Sequence, residues 1–196
     1  MVIGLTGGIG CGKSTVRSLF QESGWATIDT DHIVRDLLQN DTEVHDQVIE
    51  HFGSKILNNE SKIDRKAIAK IVFNDNNELL WLENLLHPRV RQHWESAIAS
   101  RAEIPWIIEI PLLFEKKLEK YFNFTVCVTA SLGKRFDRLK AQGFNREQVQ
   151  ARMQRQLPIQ KKIEQADFVI FNNGSLTHLK DQVLYLINQF SNYSDF

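Results

Sequence analysis

Val2-Ile3-Gly4-Leu5-Thr6-Gly7-Gly8-Ile9-Gly10-Cys11-Gly12-Lys13-Ser14-Thr15 reads as a buried strand, a glycine-rich turn and the first turn of a helix. From Gly7 to Ser14 the run matches G-x-x-x-x-G-K-[ST]. Its flanks are those the pattern requires, with apolar Val2, Ile3 and Leu5 before it and amphipathic Val16, Leu19 and Phe20 after it. Glycines let consecutive backbone N–H groups converge on one concavity that a polyphosphate can fill. The helix that follows begins at its positive end, which favours an anion at the same place. Gly8, Gly10, Cys11, Gly12, Lys13, Ser14 and Thr15 are therefore candidates for binding a nucleotide. Lys13 is expected to reach the terminal phosphates and the Ser14 hydroxyl to ligate Mg²⁺. A glycine-rich turn also serves plain chain reversal, but the strand and helix around this one favour the phosphate site. Cys11 is expected to contribute its backbone N–H, its thiol being incidental.

The chain has 196 residues, enough for one domain or for one core domain with an inserted lobe. Hydrophobic content of 42% with 24% charged residues argues against disorder. Lys plus Arg equal Asp plus Glu at 24 each, so the total charge offers no footprint for nucleic acid. Two cysteines without paired spacing, no apolar run of spanning length and no secretion signal lead to the expectation of a soluble cytoplasmic protein without a membrane partner.

Beyond the opening helix, Gly24 marks a stop, and Trp25 to Ile28 reads as a second strand delivering Asp29-Thr30-Asp31 to its carboxyl end. Ligands of open α/β sheets bind at that edge. Asp31 has two readings that its spacing leaves open, an acid facing the phosphates or the N-cap of a helix starting at His32. Residues 32–103 carry no convincing strand. Apolar periodicity there predicts five helices, the third beginning at Asp64 and the fifth carrying Pro88 in its first turn. A connection so long is a lobe in its own right. Trp106 to Ile110 reads as a central strand whose exception is Glu109, either a second metal-organising carboxylate or a strand-end acid bonded to backbone. Strands are also expected at Phe122–Thr129 and Phe168–Phe171, with a closing helix from about Ser175 to Phe190. Alternation of strands and helices predicts a parallel sheet. The basic stretch from Lys134 to Lys162 reads mostly as solvated helix surface, with one or two guanidinium groups serving as a cationic lid.

Several of these segments together resemble the dephospho-CoA kinase family over essentially the whole chain. The opening run resembles the family's, with Cys11 where Ser is usual, and Asp29-Thr30-Asp31 resembles its Asp-Ala-Asp element. Ile63-Asp64-Arg65, Val72-Phe73 and Leu86-His87-Pro88-Arg89-Val90-Arg91 are similar to parts of its helical substrate lobe. Ile110-Pro111-Leu112-Leu113-Phe114-Glu115 is the most family-specific run, and Ala166-Asp167 through Asn172-Asn173-Gly174 resembles the last strand and adenine-side loop. The resemblance implies an α/β fold of the P-loop nucleoside-triphosphate-hydrolase type, three layers around a five-stranded parallel sheet. It divides the chain into a core (1–31, 104–133 and 166–196), a helical substrate lobe (32–103) and a lid (134–165). It implies transfer of the γ-phosphoryl of ATP, with Mg²⁺, to the ribose 3′-hydroxyl of dephospho-CoA. The chain is expected to be a monomer. Asp31, Lys13 and Arg138 would be catalytic, Arg138, Arg152 and Asn173 would join the loop in binding ATP, and Ser14, with Glu109 as a second candidate, would hold the metal. Glu109 stands where Asp is usual and Gln142 where a lid arginine is common, which shifts the lid role toward Arg138 and Arg152.

Rival readings are another small-molecule or nucleoside monophosphate kinase, which the Ile-Pro-Leu-Leu-Phe-Glu run disfavours, and a nucleotide-binding protein without catalysis. A GTP-driven switch would need an Asn-Lys-x-Asp sequence, which the chain lacks.

Overall fold

The structure, a computed structural model, describes residues 1–193. It divides into two compact units, one formed by Met1–Asp29 with Ala102–Phe196 and the other by Thr30–Arg101.

The first unit is built on β1 (Val2–Gly7), β2 (Ala26–Asp29), β3 (Trp106–Glu109), β4 (Phe124–Thr129) and β5 (Phe168–Phe171). Every pairing is parallel and the order is β2-β3-β1-β4-β5. The glycine-rich strand therefore lies at the centre, and its carboxyl end opens between those of β3 and β4. The sheet's two faces differ because side chains alternate along each strand. Ile3, Leu5, Ile107, Val126, Val128 and Ile170 pack toward α1 (Lys13–Glu22), which offers Val16, Leu19 and Phe20. The C-terminal helix, Leu176–Asn192, joins this core through Leu179, Val183, Leu186 and Phe190, and its N-cap Ser175 accepts from the His178 N–H. On the opposite face Gly4 has to be a glycine. A Cβ there would lie 2.6 Å from Leu113 Cδ1 and 2.9 Å from the Phe122 ring.

The second unit is helical, as its periodicity predicts, but its elements differ in detail. They are α2 (Thr30–Asn40), α3 (Thr42–Phe52, stopped by Gly53), α4 (Arg65–Val72, capped by Asp64) and α5 (Asn76–Ser100). The expected break at Pro88 is absent, and one 25-residue helix runs through it. Its buried face, Leu82, Leu85, Leu86, Val90 and Trp94, is continuous across the proline, and that burial outweighs the missing hydrogen bond. Arg89 Nη1 adds a donor beside the interruption, 3.0 Å from the Leu85 carbonyl. Asp31 is also corrected. Because α2 begins at Thr30, Asp31 lies within the first helical turn, where its charge favours the helix dipole, and is not the N-cap. Strands β2 and β4 are shifted slightly from their expected limits, β4 beginning at Phe124 after a short 3₁₀ turn at Glu119–Tyr121.

The basic stretch of the first unit resolves into α6 (Leu132–Ala141), α7 (Arg146–Gln154) and α8 (Ile159–Gln165), followed by β5 and then α9, the C-terminal helix.

Candidate active site

Strand β1 ends at Gly7, and the chain turns through Gly8–Gly12 into α1. Gly12 is the N-cap of α1 at φ 91°, left-handed backbone that favours glycine, and a Cβ on it would sit 2.2 Å from Asn172 Nδ2. Lys13 and Ser14 are the first residues of the helix, so the lysine folds back over the loop, its Nζ 3.5 Å from the Gly8 carbonyl. The Cys11 N–H donates to the same carbonyl at 3.2 Å. The Cys11 side chain is fully buried in the main core, while Ser14 and Thr15 are exposed on the first turn of α1.

Side chains from far along the sequence brace this loop. Arg138, on α6, donates through Nη1 to the carbonyls of Gly10 (3.3 Å) and Cys11 (3.2 Å). Its Nη2 donates to both oxygens of Asn172, the carbonyl at 2.9 Å and Oδ1 at 3.1 Å. Asn172 Nδ2 in turn donates to the Cys11 carbonyl at 2.9 Å. The two peptide groups flanking Ile9 are each held, the Ile9 N–H by Gln156 Oε1 and the Ile9 carbonyl by Arg135 Nε, both at 2.9 Å. Arg138 is thus tied to the loop itself. Arg152, on α7, sits apart from these contacts, donating to the Gln148 carbonyl at 3.2 Å and lying 4.7 Å from the centre of the Phe144 ring. Asn173 Oδ1 accepts from the Ser131 N–H at the start of α6. Gln142 is the C-cap residue of α6.

Beside the loop, Asp29 and Glu109 face each other in register at the ends of β2 and β3. Two carboxylates so close repel, and Arg17 of α1 lies between them, Nε 3.0 Å from Glu109 Oε2 and Nη2 3.4 Å from Asp29 Oδ2. Burial pushes the Glu109 carboxyl above its ordinary value and the Asp29 charge adds to that, while Lys13 and Arg17 oppose it. The sensitivity to Lys13 ties Glu109 electrostatically to the loop. Its charged partner is the Arg17 guanidinium, which the sequence reading did not single out.

Among the described residues no group of three or more His, Cys, Asp or Glu side chains could hold a metal on its own. Hydroxyl and carboxylate oxygens beside a phosphate loop do suit a hard ion such as Mg²⁺, which keeps waters and binds largely through substrate phosphates. The residues present fit that ion.

In the helical unit, Asp31 stands on the first turn of α2, two residues beyond Asp29 in the chain, and its carbonyl accepts from Arg35 Nε at 3.1 Å.

The sequence profile of dephospho-CoA kinases matches residues 1–178. The chain belongs to the dephospho-CoA kinase family. It is 38% identical to the dephospho-CoA kinase of Carboxydothermus hydrogenoformans over 192 residues, 96% of this chain and 93% of that one. It is 39% identical to that of a Synechococcus species over 184 residues, 92% of each. The solved dephospho-CoA kinase of Campylobacter jejuni superposes with a TM-score of 0.71 at 28% identity, covering 98% of both chains. A shikimate kinase from Acinetobacter baumannii shares the fold at a TM-score of 0.54 and 15% identity. Three loop-bracing residues, Arg135, Gln156 and Asn172, and Arg17 between the two carboxylates escaped the sequence reading as site residues. Arg135 and Asn172 lay within segments that drew notice, whereas a lone Gln156 carries no signal.

Proposed function

We propose that this chain transfers the γ-phosphoryl group of ATP to the ribose 3′-hydroxyl of dephospho-CoA, giving coenzyme A and ADP. The observation that carries the proposal is the braced loop, with Lys13 Nζ folded onto the Gly8 carbonyl at the head of α1, in a chain that matches the family along most of its length. The loop N–H groups and Lys13 bind the β- and γ-phosphates. Ser14 is the ligand for Mg²⁺, with Glu109 in second place because Arg17 already engages it. When bound, the ion neutralises charge on the β- and γ-oxygens.

Asp31 orients the ribose hydroxyl and accepts its proton late, since a loose transition state needs little proton transfer. Arg138 holds the loop carbonyls and Arg152 contributes positive charge to the moving phosphoryl group. Residues 134–165 act as the lid that excludes water. The helical unit holds the pantetheine-bearing substrate, and the enzyme acts as a cytoplasmic monomer. No helix among the described residues is long and apolar enough to cross a membrane.

One coupled assay tests the reading by following ADP release with dephospho-CoA, AMP, adenosine or shikimate as acceptor. Turnover with dephospho-CoA well above the others is expected. A preference for any other acceptor would overturn the substrate assignment.

A further inference from the structure

The two peptide groups at the tip of the phosphate loop are held from outside by side chains that neither the loop motif nor the family resemblance assigns. Gln156 follows α7, 147 residues beyond Ile9, and its Oε1 accepts from the Ile9 N–H at 2.9 Å. Arg135, on α6 and 126 residues beyond, donates from Nε to the Ile9 carbonyl at 2.9 Å. Gln156 is half-buried and Arg135 is 5% exposed, so both bonds are sheltered from competing water.

A trans peptide is planar, and its C=O and N–H point to opposite sides. Fixing one end of the group therefore aims the other. Where Gln156 draws the Ile9 N–H outward, the carbonyl of the same peptide, that of Gly8, is turned the other way. That carbonyl is the one facing Lys13 Nζ at 3.5 Å and accepting the Cys11 N–H at 3.2 Å. Where Arg135 draws the Ile9 carbonyl, the N–H of Gly10 in the same peptide is turned away from Arg135. Arg135 also lies close over Gly8, since a Cβ there would sit 2.8 Å from Arg135 Nη2.

We propose that Gln156 and Arg135 are positioning residues for phosphoryl transfer, Gln156 setting Lys13 through the Gly8–Ile9 peptide and Arg135 setting the Gly10 N–H through the Ile9–Gly10 peptide. The proposal rests on the phosphate-loop reading of Gly7–Ser14. Both anchors lie in the segment read as the lid, so docking of that segment and alignment of the loop are one event.

The test compares the full-length wild type with Gln156→Met, which keeps the length of the side chain and removes the acceptor, and Gln156→Glu, which keeps an acceptor at the same reach. Readouts are kcat and KM for ATP, melting temperature, and amide hydrogen exchange at Ile9. In Gln156→Met, kcat is expected to fall about tenfold, the scale of one lost neutral hydrogen bond felt in the transition state. KM for ATP and melting temperature should change little, and exchange at Ile9 should accelerate. Gln156→Glu should restore Ile9 protection. Wild-type kcat in Gln156→Met, unchanged exchange at Ile9, or a kcat loss matched by a smaller folded fraction would overturn this proposal alone. Near-normal turnover in a folded Lys13→Ala protein would overturn the loop reading and this proposal with it.

Discussion

Lys162 has no exposed surface, and its ammonium lies against both carboxylate oxygens of Glu115, 2.8 Å from Oε1 and 3.1 Å from Oε2. The same Nζ donates to the Pro111 carbonyl at 2.6 Å, and Glu115 Oε1 also accepts from the Leu157 N–H at 2.8 Å. One buried pair therefore joins the turn after β3, the middle of α8 and the segment between α7 and α8. This gives the last residue of the Ile-Pro-Leu-Leu-Phe-Glu run a physical role.

Removing either member of this pair should be costly, because the other is left charged and desolvated. Lys162→Met is expected to lose about 3–5 kcal/mol of unfolding free energy. The double variant Lys162→Met/Glu115→Gln should recover part of that loss, since the orphaned carboxylate is gone. Urea denaturation of the singles and the double gives the coupling, and strict additivity would show that the pair is not energetically joined.

Lys13→Ala should leave the melting temperature near wild type and reduce phosphoryl transfer by orders of magnitude, since Lys13 is half-exposed over the loop and no hydrophobic contact depends on its ammonium. Thermal melts and turnover on the same preparation check both halves of this expectation.

Asp31→Asn separates chemistry from helix stability. Asp31 lies inside the first turn of α2, where its charge contributes about 0.3–1 kcal/mol through the helix dipole, and Asn keeps the shape and polarity of the side chain. Loss of a general base should lower turnover by roughly 10²- to 10⁴-fold with little change in ATP affinity. Calorimetric ATP binding, a melt and a rate measurement decide the matter, and full activity would remove Asp31 from the mechanism.

The two arginines should part company. Arg138→Ala is expected to lower both stability and turnover, because the guanidinium holds the Gly10, Cys11 and Asn172 carbonyls. Arg152→Ala should lower turnover by about 10²-fold, as a lost charge stabiliser does, with little effect on melting. Gln142→Ala, at the C-cap of α6, should do least. If Gln142→Ala proved the most damaging in turnover, the assignment of the lid role would be wrong.

Glu109 makes a pH prediction. Burial is the main cause raising its carboxyl above the ordinary 4.5. Between 4.5 and that raised value the folded protein keeps a proton that the unfolded chain has lost, so this group's contribution to stability falls as pH rises through the window. Glu109→Gln removes the titration. The stability difference, wild type minus Glu109→Gln, should therefore decline from pH 4 upward and then level off. A difference that grew with pH would mean that Arg17 and Lys13 outweigh burial.

Local patterns in the sequence were enough for the elements that local physics controls. The glycine-rich turn, the lysine and serine at the head of α1, the parallel strands and the helical stretch from 30 to 101 follow from spacing, alternation and punctuation by Gly and Pro. Pro88 shows where local rules lose, because a continuous buried face over Leu82–Trp94 carries α5 through it. Tertiary structure alone decided which distant groups close on the loop. Arg17 between Asp29 and Glu109, Gln156 and Arg135 on Ile9, and Lys162 on Glu115 are polar contacts made across the fold, and of these side chains Arg17 and Gln156 had no mark in the sequence. Their energies come from burial and from hydrogen-bond geometry, which exist only once the fold has closed, on Ile9 across more than a hundred positions to within 3 Å. Periodicity records which face of an element is apolar, but it holds no record of which polar side chain the other end of the chain will present to it.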